Sequence, residues 1–106
     1  MSVSTAFEVL ADPTRRQIVA FLADGESPVR DIVEQFNSSA PAISQHLKVL
    51  RNAGLVSVRP VAQQRFYSVN RAALAECAAW LMRMGGFWSD QLGALEKELR
   101  GGELRG

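Results

Sequence analysis

The sequence predicts a mainly helical domain carrying one small β-hairpin. Three observations predict it. Apolar residues from Phe7 to Leu50 recur at steps of three and four, the period of helices buried along one side. Asp12-Pro13 and Ser27-Pro28 each read as a capping residue followed by a helix-starting proline, and Ser39 precedes Pro41 in a similar way. After Gly54 the period changes. Leu55-Val56-Ser57-Val58-Arg59 and Arg65-Phe66-Tyr67-Ser68-Val69 are β-branched or aromatic runs separated by Pro60 to Gln64.

In chain order, residues 4–11 place Phe7, Leu10 and Ala11 at helical spacing. Asp12 then caps a helix from Thr14 to Ala23. It buries Ile18, Val19 and Leu22, exposes Arg15, Arg16 and Gln17, and ends at Asp24-Gly25. A short helix after Ser27-Pro28 uses Ile32, Val33 and Phe36 as its apolar face. Asn37-Ser38-Ser39 turns the chain into the next helix, which Gly54 ends. The hairpin tip falls near Ala62-Gln63, without the Asn-Gly or Asp-Gly that would fix the turn type. Asn70 caps a helix from Arg71 to about Met84, with Leu74, Cys77, Ala78 and Leu81 as its stripe; Gly85-Gly86 weakens or kinks it. A last segment, Phe87 to Arg100, sets Trp88, Leu92, Leu95 and Leu99 on one stripe. Residues 1–100 are expected to form a single domain and 101–106 a frayed tail.

The stretch from Ser38 to Leu50 carries the chemistry. Ile43, Leu47 and Leu50 fall on one side of a helix; Ser44, Gln45 and Lys48 fall on another, with His46 between. The exposed face is expected to offer hydroxyl, amide, imidazole and ammonium groups, the set that binds phosphates and base edges in a DNA major groove. Two short helices joined by a tight turn, the second with a polar outward face, form a helix-turn-helix. The hairpin beside them suggests a wing, with Arg59, Gln63, Gln64 and Arg65 as its contacts.

Charge agrees. Between Glu34 and Glu76 there is no acidic residue, while Lys48, Arg51, Arg59, Arg65 and Arg71 give +5. The other seven cations face all eleven acids, or −4, so a nearly neutral chain (+1) has a basic middle. A polyanion senses that local potential rather than the total.

Other classes find no support. One cysteine, Cys77, excludes an internal disulfide and suggests a reducing compartment. No apolar run approaches the ~20 residues of a membrane span, and no secretion signal is visible, so the expected location is the cytoplasm. No Ser/His/Asp set, glycine-rich phosphate loop or paired carboxylate cleft supports an enzyme.

Trp80, Phe87 and Trp88 add more apolar surface than a loosely attached terminal helix needs. Intramolecular core is one account. The favoured one is a two-fold dimer, with Phe7, Leu10, Trp80, Leu81, Met84, Phe87, Trp88, Leu92 and Leu95 at its interface.

The segments Asp12-Pro13-Thr14-Arg15-Arg16, Ser44-Gln45-His46-Leu47-Lys48-Val49-Leu50, Ala53-Gly54-Leu55-Val56 and Arg65-Phe66-Tyr67-Ser68-Val69, in this order and separation, resemble the ArsR family of bacterial winged helix-turn-helix repressors. The resemblance covers about residues 5–84. It implies a homodimer built on the first and last helices, and negative regulation of transcription at a double-stranded operator, often that of the repressor's own operon. It places the helix of about Ala40 to Asn52 in the major groove. Position by position, the readers it implies are Ser39, Pro41, Ala42, Ser44, Gln45, His46 and Lys48, with Arg65 on the wing. Metal-sensing members carry a Cys-x-Cys in the preceding helix. Here that helix reads Val29-Arg30-Asp31-Ile32-Val33-Glu34, so metal sensing is not carried over and no metal or cofactor is expected. The sequence names no inducer. The alternative function is a winged-helix module that docks a protein.

Two residues keep alternatives. His46 suits a DNA-facing or helix-packing role better than a metal. Cys77, on an apolar stripe, is by default an inert buried thiol and less readily a redox sensor.

Overall fold

The computed structural model describes residues 3–85. In order, α1 spans Val3–Leu10, α2 Pro13–Ala23, β1 Ser27–Pro28, α3 Val29–Gln35, α4 Ala40–Asn52, β2 Val56–Val61 and β3 Gln64–Val69. A final helix, α5, covers 71–85.

Caps set the helix bounds. Asp12 accepts the Arg15 N–H at 3.0 Å and starts α2 with Pro13 in its first turn. Ser39 Oγ accepts the Ala42 N–H at 3.2 Å and starts α4. Helix α4 ends in a Schellman motif. The Leu55 N–H reaches back to the Leu50 carbonyl at 3.0 Å and the Gly54 N–H to Arg51 at 2.9 Å, with Gly54 at φ +77°. Leu50 and Leu55 are both fully buried, the apolar contact that accompanies this cap.

A single core joins the elements. Ile18 and Leu22 of α2, Ile32 of α3, and Ile43, Leu47 and Leu50 of α4 are fully buried with Leu55. Ala6 and Val9 of α1, Tyr67 of β3, and Ala73 and Cys77 of α5 complete the cluster. The helix-turn-helix of α3 and α4 is thus held from behind by α2 and beside it by the sheet.

The structure corrects the sequence reading at four places. Ser27-Pro28 is not a cap-plus-proline start. It is a short strand, and the sheet has three strands in the order β1-β3-β2, all antiparallel. Ser27 lies opposite Tyr67 and Pro28 opposite Phe66; proline is tolerated because β1 is an edge. Helix α3 begins one residue later without a side-chain cap. Second, the hairpin strands are longer than expected, pairing from Val56 with Val69 to Val61 with Gln64, while the tip stays at Ala62-Gln63. Third, Arg15, expected to be exposed, is half-buried, while Arg16 is exposed as expected; both guanidinium groups have partners. Arg15 Nε donates to the Val9 carbonyl at 2.7 Å, and Arg16 Nη1 to Leu10 and Ala11 at 2.8 and 3.0 Å. Both guanidinium groups satisfy carbonyls that the end of α1 leaves without helical partners. Fourth, α5 buries Ala73 and Cys77 and half-buries Leu74, but Ala78 is exposed and Leu81 is 52% exposed. Only the early turns of this helix meet the core. The expected helix over Phe87 to Arg100 and the tail at 101–106 lie outside the described residues, as does the kink at Gly86.

Candidate nucleic-acid interface

Helix α4 presents the predicted faces. Ile43, Leu47 and Leu50 turn inward. Pro41, Ser44, Gln45 and Lys48 are exposed, and the side chains of Ser44, Gln45 and Lys48 have no hydrogen-bond or ion-pair partner among the described residues. At 100° per residue these four lie within one sector of the helix. Arg51 and Asn52, both exposed, continue that sector one turn beyond Lys48. Ala42 is exposed at the rim of the sector, and the Ser39 hydroxyl is engaged in capping.

The tertiary fold brings β3 to this helix. Ser44, Leu47, Lys48, Arg51 and Asn52 line a groove of about 660 Å³ together with Val29, Arg65 and Tyr67. Three cations from two elements, Lys48, Arg51 and Arg65, therefore share one groove with no acid in its wall. A second groove of about 370 Å³ shares Val29 and Arg65 with it, so the two adjoin. Pro28, Arg30, Gln63 and Gln64 line the rest of it. The expected wing contacts Gln63, Gln64 and Arg65 are thus gathered at the hairpin tip, beside the start of α3. Arg51, Asn52 and Arg30 were absent from the expected set. Arg51 was legible, since it lies three residues beyond Lys48 on the same face. Arg30 was not, because only the pairing of β1 with β3 puts it beside the wing.

Two expected contacts are placed elsewhere. His46 is half-buried on the far side of α4 from Ser44, with its Nδ1 buried and without a hydrogen-bond partner. The Asp12 carboxyl is held below its ordinary range chiefly by the Arg15 N–H, then by the Arg15 and His46 charges. Arg59 stands on the opposite face of the sheet from Arg65. Alternation along paired strands sets Arg65, Tyr67 and Val58 on the side facing the core, and Arg59 with Phe66 on the other. There Arg59 Nε and Nη2 donate to the two carboxylate oxygens of Glu26 at 2.6 and 2.7 Å.

At the opposite end, Phe7 of α1 meets Trp80 of α5, ring centroids 5.2 Å apart at 57°. Beyond that contact Trp80, Leu81 and Met82 are 37, 52 and 76% exposed. Leu10 and Met84 are half-buried. The interface residues expected at Phe87, Trp88, Leu92 and Leu95 lie outside the described residues. Among the described residues no three His, Cys, Asp or Glu side chains cluster to hold a metal ion. Nor is any helix among them long and apolar enough to cross a membrane.

Comparison with known proteins places the sequence and the fold among bacterial regulators. Residues 12–58 match the family model described as "Bacterial regulatory protein, arsR family". The chain is 36% identical over 80 residues to the transcriptional repressor SdpR of Bacillus subtilis, spanning 76% of this chain and 89% of that one. It is 42% identical over 91 residues to the HTH-type transcriptional regulator Rv2034 of Mycobacterium tuberculosis, spanning 86% and 82%. Its fold is similar to that of an ArsR-like transcriptional regulator from Rhodococcus sp. RHA1, with a TM-score of 0.74, 28% identity and 90% of each chain covered.

Proposed function

The chain belongs to the arsR family of bacterial regulatory proteins and is a DNA-binding transcriptional regulator, and from that premise we propose that it works as a homodimeric repressor at a two-fold operator, its own promoter being the first candidate. Helix α4 enters the major groove. Gln45 and Ser44 meet base edges, and the wing follows the adjacent backbone with Gln63, Gln64 and Arg65.

The observation that carries this reading is the acid-free groove where Lys48 and Arg51 of α4 face Arg65 of β3. A phosphodiester seated there meets three cations and the Ser44 hydroxyl. Its negative charge offsets a local repulsion that the free protein must otherwise leave to solvent. His46 is left to pack the helix, and Ser39, Pro41 and Ala42 bring the first turn of α4 close to the backbone.

The partner that completes the molecule is a second copy. Trp80, Leu81 and Met82 leave apolar surface exposed on α5 beside the contact of Trp80 with Phe7 of α1, and exposed apolar surface on a small protein marks an interface. Two-fold symmetry then spaces the α4 helices by about one DNA turn, ~34 Å.

Footprinting on the region upstream of the chain's own gene tests the operator. Titration with salt tests the groove. Three cations per protomer, doubled by symmetry, predict a slope of log K against log salt of about −5. Absence of duplex binding at low salt would overturn the reading and leave a protein-docking module.

A further inference from the structure

We propose that Arg59 is a positioning residue that aims the wing through Glu26 and Phe66, rather than a contact to DNA; the inference rests on the DNA-binding reading above. Arg59 on β2 lies opposite Phe66 on β3, which lies opposite Pro28 on β1. Directly paired residues share a face, so these three form a row across all three strands. The Arg59 guanidinium sits over the Phe66 ring, 5.9 Å from its centroid, and continues to Glu26, just before β1. Both carboxylate oxygens of Glu26 are used, in the bidentate geometry of a planar fork.

The row ties two edges that share no hydrogen bonds. β1 runs straight into α3 and belongs to the body; β2 is the free edge of the wing. Between them only β3 makes backbone bonds to each, and a narrow antiparallel ribbon has a wide range of twist. The clasp over Phe66 fixes that twist. Because Arg65 and Gln64 ride on β3, it also sets how Arg65 approaches Lys48 and Arg51 across the groove. The pair itself brings no net charge to a polyanion. A phosphate approaching Arg59 meets the Glu26 carboxylate at the same place.

Three single variants separate positioning from contact. The probe is the duplex that the wild-type protein enriches from a random-sequence library, titrated between about 50 and 200 mM salt. Arg59→Lys keeps the charge but loses the fork. Glu26→Gln removes an acid and frees the arginine. Arg59→Gln removes the charge. Positioning predicts that all three weaken binding by about fivefold, the upper range for a partly exposed pair, with an unchanged salt slope. It also predicts that the exchange E26R/R59E recovers most of the loss.

A contact role predicts the reverse pattern: Arg59→Lys near wild type, Glu26→Gln tighter, and Arg59→Gln shallower in slope by about 1 per protomer. Either that pattern or three variants equal to wild type would overturn the inference alone. A wild type that enriches no duplex overturns the DNA-binding reading with it, since a wing that meets no DNA needs no aim. Urea midpoints measured alongside show whether each variant is folded.

Discussion

Asn70 Nδ2 donates a 2.8 Å hydrogen bond to the carbonyl of Gly54, sixteen residues earlier. The same side chain caps α5, its Oδ1 accepting the Ala73 N–H at 3.2 Å, while the Asn70 N–H reaches the Leu55 carbonyl at 2.9 Å. One residue thus closes the base of the wing, joining the end of α4 to the start of the last helix. Asn70→Ala is expected to cost about 1–2 kcal/mol, from a lost cap and a half-buried carbonyl left without its donor. Urea denaturation at unchanged m-value measures it. Asn70→Asp keeps the cap acceptor and loses only the donor, so a smaller loss is expected.

Gln45 and Lys48 are both exposed on α4 but face different parts of a duplex. Gln45→Ala is expected to weaken specific binding by ~1–3 kcal/mol and relax sequence preference at one position per half-site. Lys48→Ala is expected to weaken all sequences alike and reduce the salt slope by about 1 per protomer. Competition with unrelated duplex tells the two apart. A Gln45→Ala variant with intact preference would move the base contact elsewhere.

Ala62 opens the two-residue wing loop at φ +56°, the one positive φ outside glycine among the described residues. A left-handed conformation costs a residue with a Cβ about 1 kcal/mol. Ala62→Gly removes that cost and gives back part of it as unfolded-state entropy. A gain of about 0.5 kcal/mol in thermal unfolding is expected, with DNA affinity unchanged.

The Asp12 carboxyl, held low chiefly by the Arg15 N–H, makes stability depend on acid pH. A group whose folded pKa is depressed contributes its stability above the unfolded value, about 3.9, and loses it as pH falls through the folded value. Glu26, held low by Arg59, acts in the same direction near its own ordinary value. Unfolding free energy is therefore expected to stay level from neutral pH to about pH 5 and to fall below about pH 4. Asp12→Asn should flatten that fall, read from urea midpoints across the pH range.

Leu81 is half exposed on α5 next to Trp80, in the apolar surface assigned to a second copy. Leu81→Asp places a charge where apolar surface would be buried and is expected to shift sedimentation from dimer to monomer. The monomer should remain folded, because Leu81 contributes nothing to the core cluster. A dimer that survives the change would put the interface on another face.

Much of the helical framework was legible because its signals are local. Asp12, Ser39 and Asn70 cap where their side chains can reach an N–H three residues ahead, and Gly54 stops α4 where the chain needs a positive φ. The apolar step of Ile43, Leu47 and Leu50 likewise fixes which side of α4 is left outside. Ser27-Pro28 looked like a cap for an equally local reason. It became a strand because Tyr67 and Phe66, forty residues later, offered backbone partners that no sequence window contains.

The sequence by itself determined the order of the elements, the caps, the outward chemistry of Ser44, Gln45 and Lys48, and a basic middle free of acids. All of these follow from residue identity and spacing along a few turns of chain. Tertiary structure decided which cations act together. It folded β3 against α2 and α3, so that Arg65 joins Lys48 and Arg51 around one groove, and it turned Arg59 to the other side of the sheet, onto Glu26. The physical reason is the pleat: two arginines on paired strands differ by a whole face according to register, and register is set by contacts distant in sequence.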